Sequence, residues 1–176
     1  HPTDIQAELI PAFLAGRDII GQAKTGTGKT AAFGLPLLQM IEKDQPMAAL
    51  ILAPTRELAV QVASEIDQLG RGTPIHTACI IGGESMRQQQ KQIQSGAQII
   101  VGTPGRVMDL QSRGEINFKN VRFAILDEVD RMLDIGFRKD IRKILKSIQQ
   151  THQTIFVSAT IDKSIEGLAR SLMRAD

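Results

Sequence analysis

Apolar residues recur along this chain in two alternating rhythms. Short β-branched runs are "RDIIG" (17–21), "ALILA" (49–53), "IHTACII" (75–81), "AQIIVG" (97–102), "RFAILD" (122–127) and "QTIFVS" (153–158). Longer segments separate them, with apolar positions three or four residues apart. In "TRELAVQVASEIDQLG", for example, Leu58, Val62, Ile66 and Leu69 share one helical face. Near-continuous apolar strands alternating with helices predict an α/β fold, an open parallel β-sheet with helices on both faces. No repeat, low-complexity tract or linker interrupts the 176 residues, so the chain reads as one domain, 1–176. In such sheets ligands bind at the carboxyl ends of the strands. The residues that follow each strand therefore carry the functional expectation.

After "RDIIG" comes "QAKTGTGKT" (22–30) and then an apolar helical segment. Strand, Gly-rich loop, Lys-Thr, helix is the phosphate-binding loop in its proper context. Gly26 and Gly28 allow successive backbone N–H groups to turn inward around phosphate oxygens. Ala23, Lys24, Thr25 and Thr27 complete the loop, with Ala23 where the first glycine of the pattern usually stands. Lys29 is expected on the outer phosphates of ATP, and the Thr30 hydroxyl on Mg²⁺. A phosphate-binding loop requires a second carboxylate site at the end of a neighbouring strand. "LDEVD" supplies it, with Asp127 for the hydrated Mg²⁺ and Glu128 one residue further to accept a proton from the attacking water. Asp130 has two readings, an acidic residue in the first turn of a helix or a member of the carboxylate site.

Other strand ends repeat a theme. Thr55 and Thr103 are placed to cap helices, and Arg56 and Arg106 fall in the first turns that follow. An Arg opposes the dipole at a helix N-terminus, so two such turns ask for an external anion. Gly82-Gly83 adds bare backbone at a third strand end. Three such ends on one rim favour an extended phosphodiester chain. Ser158 and Thr160 in "FVSAT" either hydrogen-bond the carboxylate cluster or cap the next helix.

Composition narrows the partners. The hydrophobic share of 42% and charged share of 23% are those of a soluble globular protein. No apolar run approaches the roughly 18 residues of a membrane span, and no signal peptide opens the chain. An intracellular setting is expected, cytoplasmic with the nucleus left open. Cys79 cannot form an internal disulfide and is expected as a small buried hydrophobe. His1, His76 and His152 share no metal-ligand spacing. A net charge of +2 does not mark a nucleic-acid binder by itself. Aromatics make up 3%, with no Trp or Tyr, so a nucleic-acid partner is expected to be held by its backbone rather than by stacking. The polar run "ESMRQQQKQIQSG" reads as a surface helix without function.

Taken in order, "AKTGTGKT", "PTRELA", "GG", "TPGR", "DEVD" and "SAT" resemble the motif series of DEAD-box RNA helicases, and specifically the first of that family's two RecA-like domains. The resemblance runs along nearly the whole chain. It implies a RecA-like P-loop NTPase domain that uses ATP and Mg²⁺, with Lys29, Asp127 and Glu128 in the chemistry. It also implies that "PTDIQ" is the tail of an adenine-sensing motif, with Gln6 on the base. By the same resemblance Arg56, Gly83, Thr103, Gly105 and Arg106 touch the backbone of one RNA strand without reading sequence. Asp130, Ser158 and Thr160 then link ATP state to RNA binding. Three departures stand out. Val129 replaces the Ala of the family name, the aromatic expected upstream of Gln6 precedes His1, and the second RecA-like domain is not in this chain. The expectation is the N-terminal domain of an ATP-dependent RNA helicase, monomeric as a fragment and nearly inactive alone. A non-catalytic scaffold and a DNA-directed translocase are the rival readings.

Overall fold

A computed structural model describes residues 1–174, so the last two residues of the domain read from the sequence lie outside the described residues. Six strands form one all-parallel sheet: β1 (Ile19–Gln22), β2 (Ala49–Leu52), β3 (Thr77–Ile80), β4 (Ile99–Gly102), β5 (Phe123–Asp127) and β6 (Gln153–Ser158). Each falls within a residue or two of its apolar run. The order across the sheet is β1-β6-β5-β2-β4-β3. Eight helices accompany it among the described residues: α1 (Asp4–Leu14), α2 (Lys29–Met40), α3 (Arg56–Leu69), α4 (Met86–Gln94), α5 (Pro104–Ser112), α6 (Val129–Ile135), α7 (Arg138–Lys146) and α8 (Lys163–Leu172).

Strand pleating sends alternate side chains into two separate cores. Ile51, Ile125 and Ile155 join Phe13, Phe33, Leu37, Val62 and Ile66 beneath α1, α2 and α3. Leu50, Leu52, Leu126 and Phe156 join Val107, Ile141, Ile144 and Leu168 on the other face. Because β2, β5 and β6 are covered on both sides, every one of their residues is buried, which explains the unbroken apolar runs. Fully burying one such side chain is worth about 1.5–3 kcal/mol. The sheet is therefore a rigid base for the loops above it.

Helix α3 departs from the expected face. Its buried residues are Ala59, Val62, Ala63 and Ile66, while Leu58 is half-buried and Leu69, in the last turn, lies against Gly34 of α2 and stays partly exposed. The run after "LDEVD" divides into two helices. Gly136, at φ 106°, stops α6 in a left-handed turn before α7 begins.

Candidate functional site

The phosphate-binding loop grows directly out of β1. Ala23 donates its N–H to the Ser158 carbonyl at 2.9 Å, extending the ladder between β1 and β6 by one residue. Its methyl group is buried, so a small side chain suffices where a glycine is usual. Gly26 and Gly28 then take left-handed φ values of 84° and 75°. The Thr27 hydroxyl closes the loop by donating to the Lys24 carbonyl at 2.6 Å. Lys29 and Thr30, both buried, open α2, so the loop N–H groups and the positive end of that helix face the same space.

Asp127 ends β5, with β6 between it and β1. Lys29 reaches across, its Nζ 3.0 Å from Asp127 Oδ1 and 3.8 Å from Glu128 Oε1. Asp127 is fully buried, and neither of its carboxylate oxygens accepts a hydrogen bond of sound geometry. Burial pushes its carboxyl above the ordinary aspartate range, against the downward pull of the Lys29 charge, and the Glu128 charge adds to the rise. A buried carboxylate held by the Lys29 ammonium, together with the buried Thr30 hydroxyl at the start of α2, is a donor set that fits a hard divalent cation. Glu128 sits in a left-handed conformation, φ 53° and ψ 55°, rare for a residue with a side chain. The Thr25 hydroxyl donates to its Oε1 at 3.4 Å, and Arg131 Nη1 lies 3.9 Å from Oε2.

Asp130 takes the helix-start reading and adds bonds to the "SAT" turn. It lies in the first turn of α6, and its Oδ2 accepts from the Thr160 N–H at 3.2 Å and the Thr160 hydroxyl at 3.1 Å. Its own N–H donates to Ser158 Oγ at 3.2 Å, and that hydroxyl donates to the Thr160 carbonyl at 2.7 Å. Asp162, rather than Ser158 or Thr160, caps α8. Of the two roles open to the "SAT" hydroxyls, the link to the carboxylate cluster is the one adopted. Val129 is fully buried and packs in the core beneath α6.

The structure adds a bond the sequence did not suggest. Gln22 Nε2 donates to the Ala159 carbonyl at 3.1 Å, tying the root of the phosphate loop to the same turn. Gln6 spends its amide within the protein. Its Oε1 accepts from the Thr3 N–H at 3.1 Å as half of a capping box, and its Nε2 donates to the Gly28 carbonyl at 3.1 Å. A cavity of about 420 Å³ opens beside it, lined by Thr3, Ile5, Ala23, Lys24, Thr27 and Ala159.

The second concentration of function lies along the rim after β2, β3 and β4. A shallow groove of about 440 Å³ is lined by Thr55, Arg56, Gly82, Thr103, Gly105 and Arg106, with the unforeseen Phe137. Thr55 caps α3 by accepting from the Leu58 N–H, whereas Thr103, with Pro104 following it, caps α5 by backbone alone. Gly83 stands behind the groove at φ 79°, with the Arg56 guanidinium against it. A Cβ there would come within 2.6 Å of Arg56 Nη1. Arg56 is exposed, and among the described residues no carboxylate lies within ion-pair distance of it. Arg106 is half-buried, and its Nη1 donates to Gln89 Oε1 at 3.2 Å and to the Glu84 carbonyl at 3.4 Å.

Cys79 is half-buried rather than buried. It stands on the edge strand β3 and lines a groove of about 600 Å³ between α3 and α4. Partial burial, then Glu84 and Asp67, push its thiol upward. The described residues contain no group of three or more His, Cys, Asp and Glu suited to a metal, and no helix long and apolar enough to cross a membrane.

Comparison with known proteins agrees with this geometry. The model of the DEAD/DEAH box helicase family matches residues 3–168. The DEAD-box ATP-dependent RNA helicase CshA of Bacillus cereus is 45% identical over 172 residues, covering 97% of this chain and 33% of that protein. A probable ATP-dependent RNA helicase of Methanocaldococcus jannaschii is 45% identical over 173 residues, covering 98% and 47%. The crystal structure of a DEAD box protein from Methanococcus jannaschii superposes with a TM-score of 0.94 at 45% identity, over 98% of this chain and 47% of that one. A hypothetical ATP-dependent RNA helicase from Sulfolobus tokodaii gives 0.91 at 37% identity, over 98% and 50%. The chain thus spans a third to a half of the length of these relatives.

Proposed function

The chain belongs to the DEAD/DEAH box helicase family, and from that premise we propose that it is the RecA-like domain with which an RNA helicase binds ATP and one RNA strand. The observation that carries the reading is the Lys29–Asp127 pair, 3.0 Å apart, which joins the phosphate loop to a carboxylate fully buried at the end of β5. The loop N–H groups, with Lys24, Thr25 and Thr27 between the two glycines and Ala23, wrap the phosphates of ATP. Lys29 turns from Asp127 toward them. Thr30 and Asp127 would hold Mg²⁺, which when bound would neutralise charge on the phosphate oxygens. Glu128 takes the proton of the attacking water. Gln6 meets the adenine edge by exchanging its two protein partners for the base, a swap that a two-hydrogen-bond amide can make without a net loss.

On the rim, Arg56 and Arg106, the N–H groups opening α3 and α5, and the bare backbone at Gly83 and Gly105 hold the sugar-phosphate chain. Such contacts position RNA and leave its sequence unread. The Asp130, Ser158 and Thr160 bonds couple this rim to the nucleotide. The protein acts with a second RecA-like domain that completes both sites. ATP-driven remodelling or local unwinding of RNA duplexes is then the activity of the whole, in an intracellular setting.

Arginines supplied from elsewhere are worth about 10³–10⁵ in rate for this class of NTPase. Residues 1–176 alone should therefore bind ATP or ADP weakly and scarcely hydrolyse it, and robust RNA-stimulated turnover by this chain would refute the reading. In the intact protein, Glu128→Gln should abolish turnover while ATP-dependent RNA binding persists. Turnover at the parent rate would remove Glu128 from its role.

A further inference from the structure

Helix α4 is polar on nearly every side. Its sequence is "MRQQQKQIQ", and only Gln89 and Ile93 are buried. Four residues apart, they form the stripe that faces the protein. An apolar residue is the ordinary occupant of such a position, and a buried amide needs both of its polar ends satisfied. Gln89 is 2% exposed and achieves this with two partners from different elements. Its Nε2 donates to the Ile81 carbonyl at 2.7 Å, one residue past the end of edge strand β3. Its Oε1 accepts from Arg106 Nη1 at 3.2 Å, on the first turn of α5. The orientation of the amide is fixed twice over. A carbonyl only accepts and a guanidinium only donates, so neither end of the side chain can be exchanged.

The consequence falls on Arg106. One of its terminal nitrogens is drawn inward to Gln89 and the Glu84 carbonyl, and the side chain still lines the rim groove. A free Arg side chain loses rotamer entropy when it engages a ligand. One already held by a buried acceptor has lost much of it beforehand. Arg56, which lies in the same groove without an ion-pair partner, has no equivalent.

We propose that Gln89 is a positioning residue for RNA binding, a buried amide that aims the Arg106 guanidinium at the phosphodiester backbone and fixes it to the end of the sheet. This rests on the RNA reading of the rim. A neighbour on the same helix provides a built-in control. Gln92 Oε1 accepts from the Cys79 N–H at 3.1 Å, capping the same edge strand without touching Arg106. A residue that merely closes the sheet edge would behave like Gln92.

The test is a comparison of Gln89→Met, Gln92→Met, Arg106→Ala and the double variant Gln89→Met/Arg106→Ala in the intact protein. Binding of a labelled oligouridylate is measured with a non-hydrolysable ATP analogue across a salt series. Gln89→Met should weaken RNA binding about three- to tenfold and flatten the slope of log K against log salt by up to about 0.7, the contribution of one phosphate on a single strand. Nucleotide affinity should be unchanged, Gln92→Met should match the parent, and the double variant should lose no more than Arg106→Ala alone. Parent-like RNA binding and salt slope in Gln89→Met, losses that add in the double variant, or equal losses from Gln92→Met would each overturn the proposal. If Arg106→Ala itself leaves RNA affinity untouched, the phosphate reading of the rim fails, and the positioning role falls with it. Gln89→Glu covers the case in which the Met variant does not fold. Its carboxylate neutralises Arg106 while losing the bond donated to the Ile81 carbonyl, so RNA affinity should fall to the Arg106→Ala level, whereas Gln92→Glu should show a far smaller loss. Equal effects from the two Glu variants would also overturn the proposal.

Discussion

The nucleotide end and the rim both present basic side chains at helix N-termini, yet they handle charge in opposite ways. Lys29 is 6% exposed and already neutralised by a buried carboxylate 3.0 Å away. Arg56 is exposed, with no carboxylate within ion-pair distance among the described residues. The first site is closed on itself and must exchange partners to admit a ligand. The second leaves its charge outward for whatever anion arrives. The contrast teaches that a phosphate site in a core is also a stability element, while one on a surface is not.

The largest test of that contrast is Lys29→Met. It leaves Asp127 buried with no countercharge and should cost about 3–5 kcal/mol of stability. Arg56→Ala should stay within about 0.5 kcal/mol of the parent. Denaturant titration of both variants decides it, and equal losses would erase the distinction. Next comes a pair of glycines on the rim. A Cβ on Gly102 would meet the Ile80 carbonyl at 2.6 Å and Val107 Cγ2 at 2.8 Å, whereas one on Gly105 would meet nothing within 4 Å. Gly102→Ala should therefore destabilise by about 1–3 kcal/mol. Gly105→Ala, within α5, should be neutral or stabilise by up to about 1 kcal/mol. Thermal unfolding that ranks them the other way would mean that the floor of the rim, not its surface, is the adaptable part.

A smaller effect is expected where the two ends meet. Asp130→Ala removes the acceptor for the Thr160 N–H and hydroxyl, a loss of about 1 kcal/mol, visible as faster hydrogen exchange at the Thr160 amide. Unchanged protection would cut the link between "DEVD" and "SAT". Smallest is the thiol of Cys79. Its folded pKa is raised, so the folded state holds the proton to higher pH than the unfolded chain does. Its contribution is fully present below the unfolded thiol pKa and is lost as pH rises through the folded one. Alkylation by iodoacetamide should accordingly be slower in the folded protein than in urea across mildly alkaline pH. Equal rates would place the thiol in open solvent.

Much of this arrangement was legible from local pattern. The apolar runs marked the strands because the central ones are covered on both faces and even the partly exposed β1 and β3 keep an apolar face toward the core. Lys29, Thr30, Asp127 and Glu128 were legible because their chemistry demands fixed neighbours at a strand end. The misses share a cause of their own. Gln22, Gln89 and Gln92 are glutamines whose partners are backbone or guanidinium groups distant in the sequence, and nothing in their immediate surroundings separates them from solvated residues. The only trace in the sequence is that Gln89 lies four residues before Ile93, the helical spacing of a buried stripe. Cys79 was misjudged for a related reason, since an apolar run does not reveal that its strand is the edge of the sheet. Gln6 was legible only through the family resemblance, and its bonds to Thr3 and the Gly28 carbonyl are set by a capping box that the residues around it did not announce.

Glu128 holds a left-handed backbone at φ 53°, a conformation that disfavours any side chain by about 1–2 kcal/mol. Replacing it with glycine would relax the elbow between β5 and α6 and make the fold more secure while deleting the carboxylate proposed above as the proton acceptor. A selection that rewards only heat resistance would thus drift toward a quiet, durable, inert protein at this residue. Only selection for turnover keeps the strained one.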